Sequence, residues 1–226
     1  MAISHISLIN GLIFLNLTLT PTVIFPEFSP QTLDRFSAAP LGQIAQQPTA
    51  IPSDWKQHLQ TGMSLWLPPS YEGGDVQQDL NLITQRMRAL GPQFETMART
   101  LEQNPSAFVF FAVDSQMDSS EVLSNVTIGK EQILSTMTLS MCLDLVYQQL
   151  AGIFTILERD QIMLNGKQGG KFITQISFGE QSIKQLIYLI QDQNMIWILT
   201  FTTSENEFDS KLPTFEQVAN TFEVSL

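Results

Sequence analysis

A chain of 226 residues with 43% hydrophobic and 15% charged residues has a globular composition and room for one domain with a substantial core. Its formal net charge of -11, with no run of basic residues, argues against binding to nucleic acid or to anionic lipid surfaces. The single cysteine, Cys142, excludes an intrachain disulfide and a multi-cysteine metal site. Burial of apolar side chains must therefore stabilise the fold.

The N-terminal part of the chain divides into two segments ahead of the domain. Residues 1–25 are predicted to be a signal-like or anchoring segment, because residues 6–25 are uncharged and largely apolar. Polar residues within this run leave another reading open, a disordered tail or an apolar flap that docks on the domain. Residues 26–54 carry five prolines among glutamine, serine and alanine, which is typical of a linker. The folded domain is expected to span residues 55–226.

Within the domain, two-residue alternation predicts strands, helical spacing of apolar residues predicts helices, and Gly, Pro, Asn and Asp mark the turns. In chain order the predicted elements are a strand at 62–67, a turn at 71–75, a helix starting at Asp79 and ending before Gly91, a helix at 94–101, strands at 107–113 and 125–129, a helix at 139–150, strands at 154–164 and 171–178, a hairpin at 183–203 and a helix at 212–222.

The hairpin at 183–203 constrains the architecture most. Every residue in 196–201 except Thr200 is apolar, so both faces of this strand need a covering layer. The helix at 212–222, begun by a capping box of Thr214 and Gln217, offers one cover. Hairpins favour an antiparallel sheet, and helices occur before, between and after the strands. The sequence thus predicts an α+β fold, an α/β/α sandwich with an antiparallel β-sheet covered by helices on both faces.

No arrangement of residues indicates catalysis or a cofactor. The glycine-rich segment 166–171 differs from a phosphate-binding loop, because Lys171 is followed by Phe172 and the segment joins two strands. His58 is the one domain histidine, and nothing in the sequence pairs it with Cys142 or with a serine as a nucleophile. Cys142 is predicted to be a core thiol on an apolar helical stripe. We therefore expect a non-enzymatic protein without a cofactor.

Two groups of residues remain as candidates for binding. Asp114, Asp118 and Glu121 could gather oxygen ligands around a calcium or manganese ion, although their spacing lacks the pattern of an EF-hand and favours a solvated acidic loop. Tyr71, Glu72 and Asp75, in the predicted turn at 71–75, are candidate contacts for a protein partner.

Several local strings, together with the order of elements, resemble the PsbP-like fold. The strings lie at residues 62–68, 108–114, 125–128, 185–188, 196–201 and 215–224, so that the resemblance covers residues 55–226. Proteins of that fold include extrinsic subunits and assembly factors of photosystem II, a Ran-binding nuclear transport factor and bacterial envelope proteins. The resemblance therefore implies a binding protein rather than an enzyme.

On this basis the sequence predicts an exported accessory protein in the periplasm or thylakoid lumen that assists photosystem II or another membrane complex. A composition rich in glutamine and poor in lysine suggests a cyanobacterial source. We expect a protein partner, no nucleic acid, and membrane contact through residues 1–25 alone. Two alternatives stay open: a cytoplasmic chaperone or adaptor on the same fold, and a carrier of a small apolar ligand.

Overall fold

The computed structural model describes residues 50–116, 122–178 and 181–225 of the chain. In these residues ten strands and four α-helices alternate as follows: β1 (Lys56–Gln60), β2 (Met63–Leu67), β3 (Tyr71–Asp75), α1 (Val76–Leu90), α2 (Glu95–Gln103), β4 (Phe110–Asp114), β5 (Asn125–Gln132), α3 (Leu139–Ala151), β6 (Thr155–Leu164), β7 (Lys167–Phe178), β8 (Gln181–Asp192), β9 (Met195–Ser204), α4 (Glu205–Ala219) and β10 (Glu223–Val224).

The strands form two antiparallel sheets. The larger sheet has seven strands in the order β3-β4-β5-β9-β8-β7-β6, and the smaller has three in the order β1-β2-β10. The β6–β7 hairpin turns at Asn165 and Gly166, both with positive φ, and the β8–β9 hairpin turns with Gln193 at φ 52°. Asparagine and glycine suit this left-handed backbone, so the predicted hairpin at Asn165-Gly166 is confirmed.

Both faces of the seven-stranded sheet are covered, as the alternation in β9 predicts. On one face, Trp197, Leu199 and Phe201 pack with α4 and the small sheet. On the other, Ile196 and Ile198 pack with α3, while α1 and α2 cover β4 through a separate cluster. We call these two sides the α4 face and the α3 face. The predicted α+β sandwich with helices on both faces is confirmed.

Capping side chains define where two helices begin. Asp75 accepts hydrogen bonds from the backbone N–H groups of Gln77 and Gln78, so α1 begins at Val76, ahead of the predicted start at Asp79. Thr138 accepts a hydrogen bond from the N–H of Met141 at the start of α3. Such caps satisfy donors that the first turn of a helix leaves unpaired.

The predicted turn at 71–75 is wrong, because these residues form strand β3 at the sheet edge. The two glycines that suggested a turn serve close packing instead: a Cβ on Gly73 would overlap the backbone of Phe111 and Ala112. Likewise β7 begins at Lys167 rather than at 171. Gly170 lies inside this strand, and a side chain there would overlap Leu143 of α3. Glycine here admits a neighbouring element.

Helix α4 is longer than the sequence predicts. It begins at Glu205, directly after β9, and Pro213 lies within it, so the predicted capping box of Thr214 and Gln217 is wrong. Burial outweighs the cost of an internal proline, since Phe208 and Phe215 are both buried against the sheet. Strand β1 was not predicted either, because its polar sequence shows no apolar alternation.

Candidate functional site

One end of the seven-stranded sheet brings several candidate residues together. Tyr71 begins β3 and Asp114 ends β4, and the two are register partners. Strand β9 reaches this end at Ser204, and α4 starts there with Glu205. We call this region the acidic end, and it contains the carboxylates of Asp114, Glu205, Glu207 and Asp209.

Asp114 links the sheet to α4. One of its carboxylate oxygens, Oδ2, accepts a hydrogen bond from Lys211 Nζ at 3.0 Å, and the other accepts from the backbone N–H of Gln116 at 3.1 Å. The side chains of Asp114 and Lys211 are only 7% and 18% exposed. A charge pair shielded to this degree holds its geometry better than a surface ion pair.

Glu207, in the first turn of α4, is held by two hydroxyl groups from the sheet. Thr203 Oγ1 donates to Glu207 Oε2 at 3.1 Å, and Ser124 Oγ lies 2.7 Å from Thr203 Oγ1 and 3.4 Å from the same carboxylate oxygen. A carboxylate also interacts favourably with the positive end of the helix dipole. The start of α4 is thereby fixed over the ends of β5 and β9.

Tyr71 lies beneath this arrangement and is buried. Burial raises the pKa of its phenol, and the negative charges of Asp114 and Glu207 raise that pKa further, so the hydroxyl group stays neutral. Tyr71 therefore belongs to the core beneath the helix and is not available on the surface.

The surface of the acidic end carries more negative than positive charge. Glu205 and Asp209 have no ion-pair partner among the described residues, whereas Lys211 is neutralised by Asp114. Lys184 lies over the ring of Phe208, with Nζ 5.6 Å from its centroid. Clustered carboxylates of this kind create a field that attracts a cationic group.

The predicted partner contacts fall into different environments. Glu72 is half-exposed and pairs with Arg86 at 3.3 Å, so it stays a candidate contact on the surface. Asp75 is engaged in capping α1. The metal site stays a prediction: Asp118 and Glu121 lie outside the described residues, and Asp114 already binds an ammonium group. In the described ranges no three or more His, Cys, Asp or Glu side chains are grouped to hold a metal ion.

His58 and Cys142 lie on opposite faces of the sheet. His58 packs edge-on against Phe110 of the α4 face, with the ring centroids 5.3 Å apart. Burial, followed by the charge of Lys56, lowers the pKa of its imidazole. Cys142 lies in the α3-face cluster, where burial raises the pKa of its thiol. These two residues therefore do not form a nucleophile and base pair.

Sequence reasoning missed Ser124, Thr203, Glu207 and Lys211. Their partners are mostly distant in the chain, such as Ser124 and Thr203 or Asp114 and Lys211. A partial signal exists in β9, because Thr203 continues the alternation of Trp197, Leu199 and Phe201 and must lie on the same face. The partner that Thr203 meets there is set by how α4 returns over the sheet.

Comparison with known proteins bears on the fold. No family model matches the sequence, and no curated protein matches it either. Among solved structures, the solution structure of cyanobacterial PsbP (CyanoP) from Synechocystis sp. PCC 6803 is similar, with 14% identity, coverage of 81% of this chain and 100% of that chain, and a TM-score of 0.50. The chain has the PsbP-like fold. The resemblance in the sequence is thereby confirmed at the level of fold.

A second solved structure is more distant. LpqN, described as involved in cell envelope biogenesis of Mycobacterium tuberculosis, is 9% identical, with coverage of 76% of this chain and 91% of that chain and a TM-score of 0.48. Among the described helices, none is long and apolar enough to cross a membrane.

Proposed function

We propose that this chain is a non-enzymatic, exported binding protein that assists a membrane protein complex, with photosystem II as the first candidate. The observation that carries the proposal is the PsbP-like fold, which matches the whole of CyanoP. A fold supports many functions, so this step is an analogy and needs a site on this chain to act. The acidic end supplies that site.

The acidic end suits a basic segment of a partner protein. Glu205 and Asp209 leave their charge uncompensated by the described residues, and the buried pair of Asp114 and Lys211 keeps the helix that carries them in place. Charges at the rim of an interface mainly accelerate association and select partners of opposite charge. Binding should therefore weaken as salt rises, because exposed charges are screened.

Copurification from the native organism tests this role. Tagged wild-type protein should recover a membrane-complex subunit, and the double variant Glu205→Lys with Asp209→Lys should recover at least about tenfold less at low salt. The matched control, Asp54→Lys with Glu223→Lys, makes the same change of charge at exposed positions outside the acidic end. Equal recovery by the two variants would exclude the acidic end as the contact, and wild-type protein recovered alone would contradict the binding role.

The domain division and the compartment form a separate part of the proposal. We propose that residues 1–25 direct export or anchor the protein and that residues 26–54 link them to the domain. Ala50 already contacts α4, since its carbonyl oxygen accepts a hydrogen bond from Gln217 Nε2 at 3.3 Å. Fractionation with N-terminal sequencing should find a shortened chain or a membrane-bound one in the periplasm or thylakoid lumen. Soluble cytoplasmic protein with an intact Met1 would instead support the chaperone or adaptor alternative.

A further inference from the structure

A cavity lies between strand β10 and the turn of the β6–β7 hairpin. Its volume is about 220 Å³, and we call it the hairpin cavity. Asn165 of the hairpin turn joins its two walls, because Asn165 Nδ2 donates a hydrogen bond to the carbonyl oxygen of Phe222 at 2.8 Å. Asn165 and Glu223 both line the cavity and are exposed. The hairpin cavity therefore opens to solvent, and a small molecule can enter it from there.

Three buried apolar side chains line the inner part of the hairpin cavity. Leu164 ends β6, Ile190 belongs to β8 and Phe222 precedes β10, and all three are at most 4% exposed. A cavity of about 150 Å³ with a lining of this kind is large enough for a benzene ring. The hairpin cavity therefore has room for an aromatic ring with a small polar group.

Strand β10 turns the backbone of one residue towards the hairpin cavity. The N–H of Ser225 donates to the carbonyl oxygen of Gly62 at 3.1 Å, so Ser225 and, two residues before it, Glu223 direct their backbone groups to β2. Val224 lies between them, and its N–H and C=O point away from β2. Val224 lines the hairpin cavity, and neither backbone group has a hydrogen-bond partner among the described residues.

This open donor and acceptor stand alone on their side of β10. The N–H of Phe222, the preceding residue that faces the same way, donates to the carbonyl oxygen of Ala219 at 3.0 Å, and its C=O is bonded to Asn165. A peptide strand added to this edge needs open groups on every second residue, and Phe222 offers none. The edge therefore suits a small molecule better than a peptide strand.

The charges around the hairpin cavity favour an uncharged ligand. Lys167 lines the cavity, but its ammonium group is paired with the carboxylate of Asp192. Side chains alternate along a strand, so the exposed side chain of Glu223 projects to the opposite side of β10 from Phe222 and Val224. A charged ligand would find no free counter-charge in the cavity and would lose its hydration.

We propose that the hairpin cavity binds a small uncharged molecule with a hydrogen-bond acceptor and donor side by side on an apolar body, such as an aromatic primary amide. The N–H and C=O of Val224 point the same way, so the ligand must offer both groups on one edge. A primary amide does so, whereas a trans secondary amide directs its C=O and N–H to opposite sides.

This site is independent of the role proposed for the acidic end. Ile190 lies near the β8–β9 turn, whereas the acidic end lies where β9 finishes at Ser204, at the other end of the sheet. The hairpin cavity gives a location to the alternative function of carrying a small apolar ligand, and its ligand can be tested without any protein partner.

Benzamide and acetophenone test this chemistry, because they have nearly the same shape and differ in one group. Acetophenone carries a methyl group in place of the NH2 of benzamide, so it can accept a hydrogen bond but cannot donate one. Titrated into full-length 15N-labelled protein, benzamide should shift the backbone amide signal of Val224 in a saturable manner. Acetophenone should bind about tenfold more weakly, because it leaves the C=O of Val224 unpaired.

Val224→Pro sharpens the test, because proline removes the open N–H. The pairing with β2 should be retained, since this N–H points away from β2 and proline is tolerated in an edge strand. Benzamide, followed through the side-chain amide signal of Asn165, should bind to this variant about tenfold more weakly. Val224→Thr is the matched control: it keeps the N–H and nearly the same size, and it should retain wild-type affinity.

Two results would overturn the proposal, and both come from wild-type protein, so they do not depend on the folding of a variant. One is the absence of a saturable shift at Val224 with benzamide. The other is binding of acetophenone as tight as that of benzamide, which would show that the cavity selects only for an apolar ring.

Discussion

The two faces of the seven-stranded sheet differ in where they place charged and uncharged polar side chains. On the α4 face several charged groups close into pairs: Asp114 meets Lys211, and Lys171 lies 2.7 Å from Glu158 and 3.1 Å from Glu216. On the α3 face the one such pair among the described residues, Arg159 with Asp144, lies at the edge strand β6, and the buried polar residues of the inner strands, Asn125, Thr174, Gln185 and Thr202, are uncharged.

The difference comes from what each covering helix contributes. Helix α4 brings Lys211 and Glu216 to the sheet, so the charges beneath it are compensated. Burial works against the charged form of Lys171, but hydrogen bonds with Glu158 and Glu216 outweigh it and raise the pKa of Lys171. Helix α3 offers a charge of its own, Asp144, which pairs with Arg159 of the edge strand β6, whereas Asn125, Thr174, Gln185 and Thr202 on the inner strands of this face are uncharged. The charge of a buried group thus depends on its covering layer.

Truncating the α4-face core should have the largest effect on stability. Phe201 is 1% exposed, stacks on Phe215 with centroids 5.1 Å apart and meets Tyr188 edge-on at 6.5 Å. Phe201→Ala should lower the free energy of unfolding by about 3–5 kcal/mol in urea denaturation. Leu59→Ala, at a side chain 72% exposed, should change it by less than about 0.5 kcal/mol. Similar losses for both variants would contradict this account of the core.

Breaking a charge pair on the α4 face should have the next largest effect. Lys211→Met leaves the carboxylate of Asp114 buried without its ammonium partner and should cost about 2 kcal/mol in the same measurement. Adding Asp114→Asn removes the stranded charge and should restore part of that loss. If the double variant loses more free energy of unfolding than the two single variants together, the broken ion pair does not explain the loss of stability.

A pH dependence should arise from His58, which packs on Phe110 of the α4 face. Burial, and then the charge of Lys56, lowers the pKa of His58, so the unfolded chain binds a proton more readily than the folded one. Stability should be complete above about pH 6.5 and decline by less than about 1 kcal/mol as the pH falls below it. His58→Gln should flatten this slope between pH 7 and 5, while His5 is unchanged in both proteins. An unchanged slope would assign the effect to other groups.

The smallest predicted effect concerns a carboxylate at the far end of the α3 face. Burial raises the pKa of Glu131, so its charged form costs stability above the folded pKa and costs nothing once both states are protonated. Glu131→Gln should raise the free energy of unfolding by a few tenths of a kcal/mol near pH 7, because the group is only partly buried. The gain should vanish below about pH 4. A gain that persists there would point to packing rather than charge.

The main features of the large sheet were predictable from the sequence because they are local. The apolar run at 196–201 showed that both faces need cover, and Asn165-Gly166 marked a hairpin that the structure contains. Strand β3 was mistaken for a turn, since neighbouring glycines such as Gly73 and Gly74 usually mark a turn in a sequence. In the folded chain they instead allow neighbouring residues to pack closely against β3. The start of α4 was mistaken because Pro213 usually begins a helix, and only the burial of Phe208 shows that this helix starts earlier.

By itself the sequence determined the layers, since the period of apolar residues dictates which sides of a strand or helix avoid water. It also determined the negative charge that the acidic end displays. Tertiary structure alone decided which polar residues meet, because the ion pair of Asp114 with Lys211 and the ladder from Asn125 to Thr174 join distant parts of the chain. Such contacts depend on strand order and on the path of the covering helices, and neither leaves a periodic signal in the residues themselves.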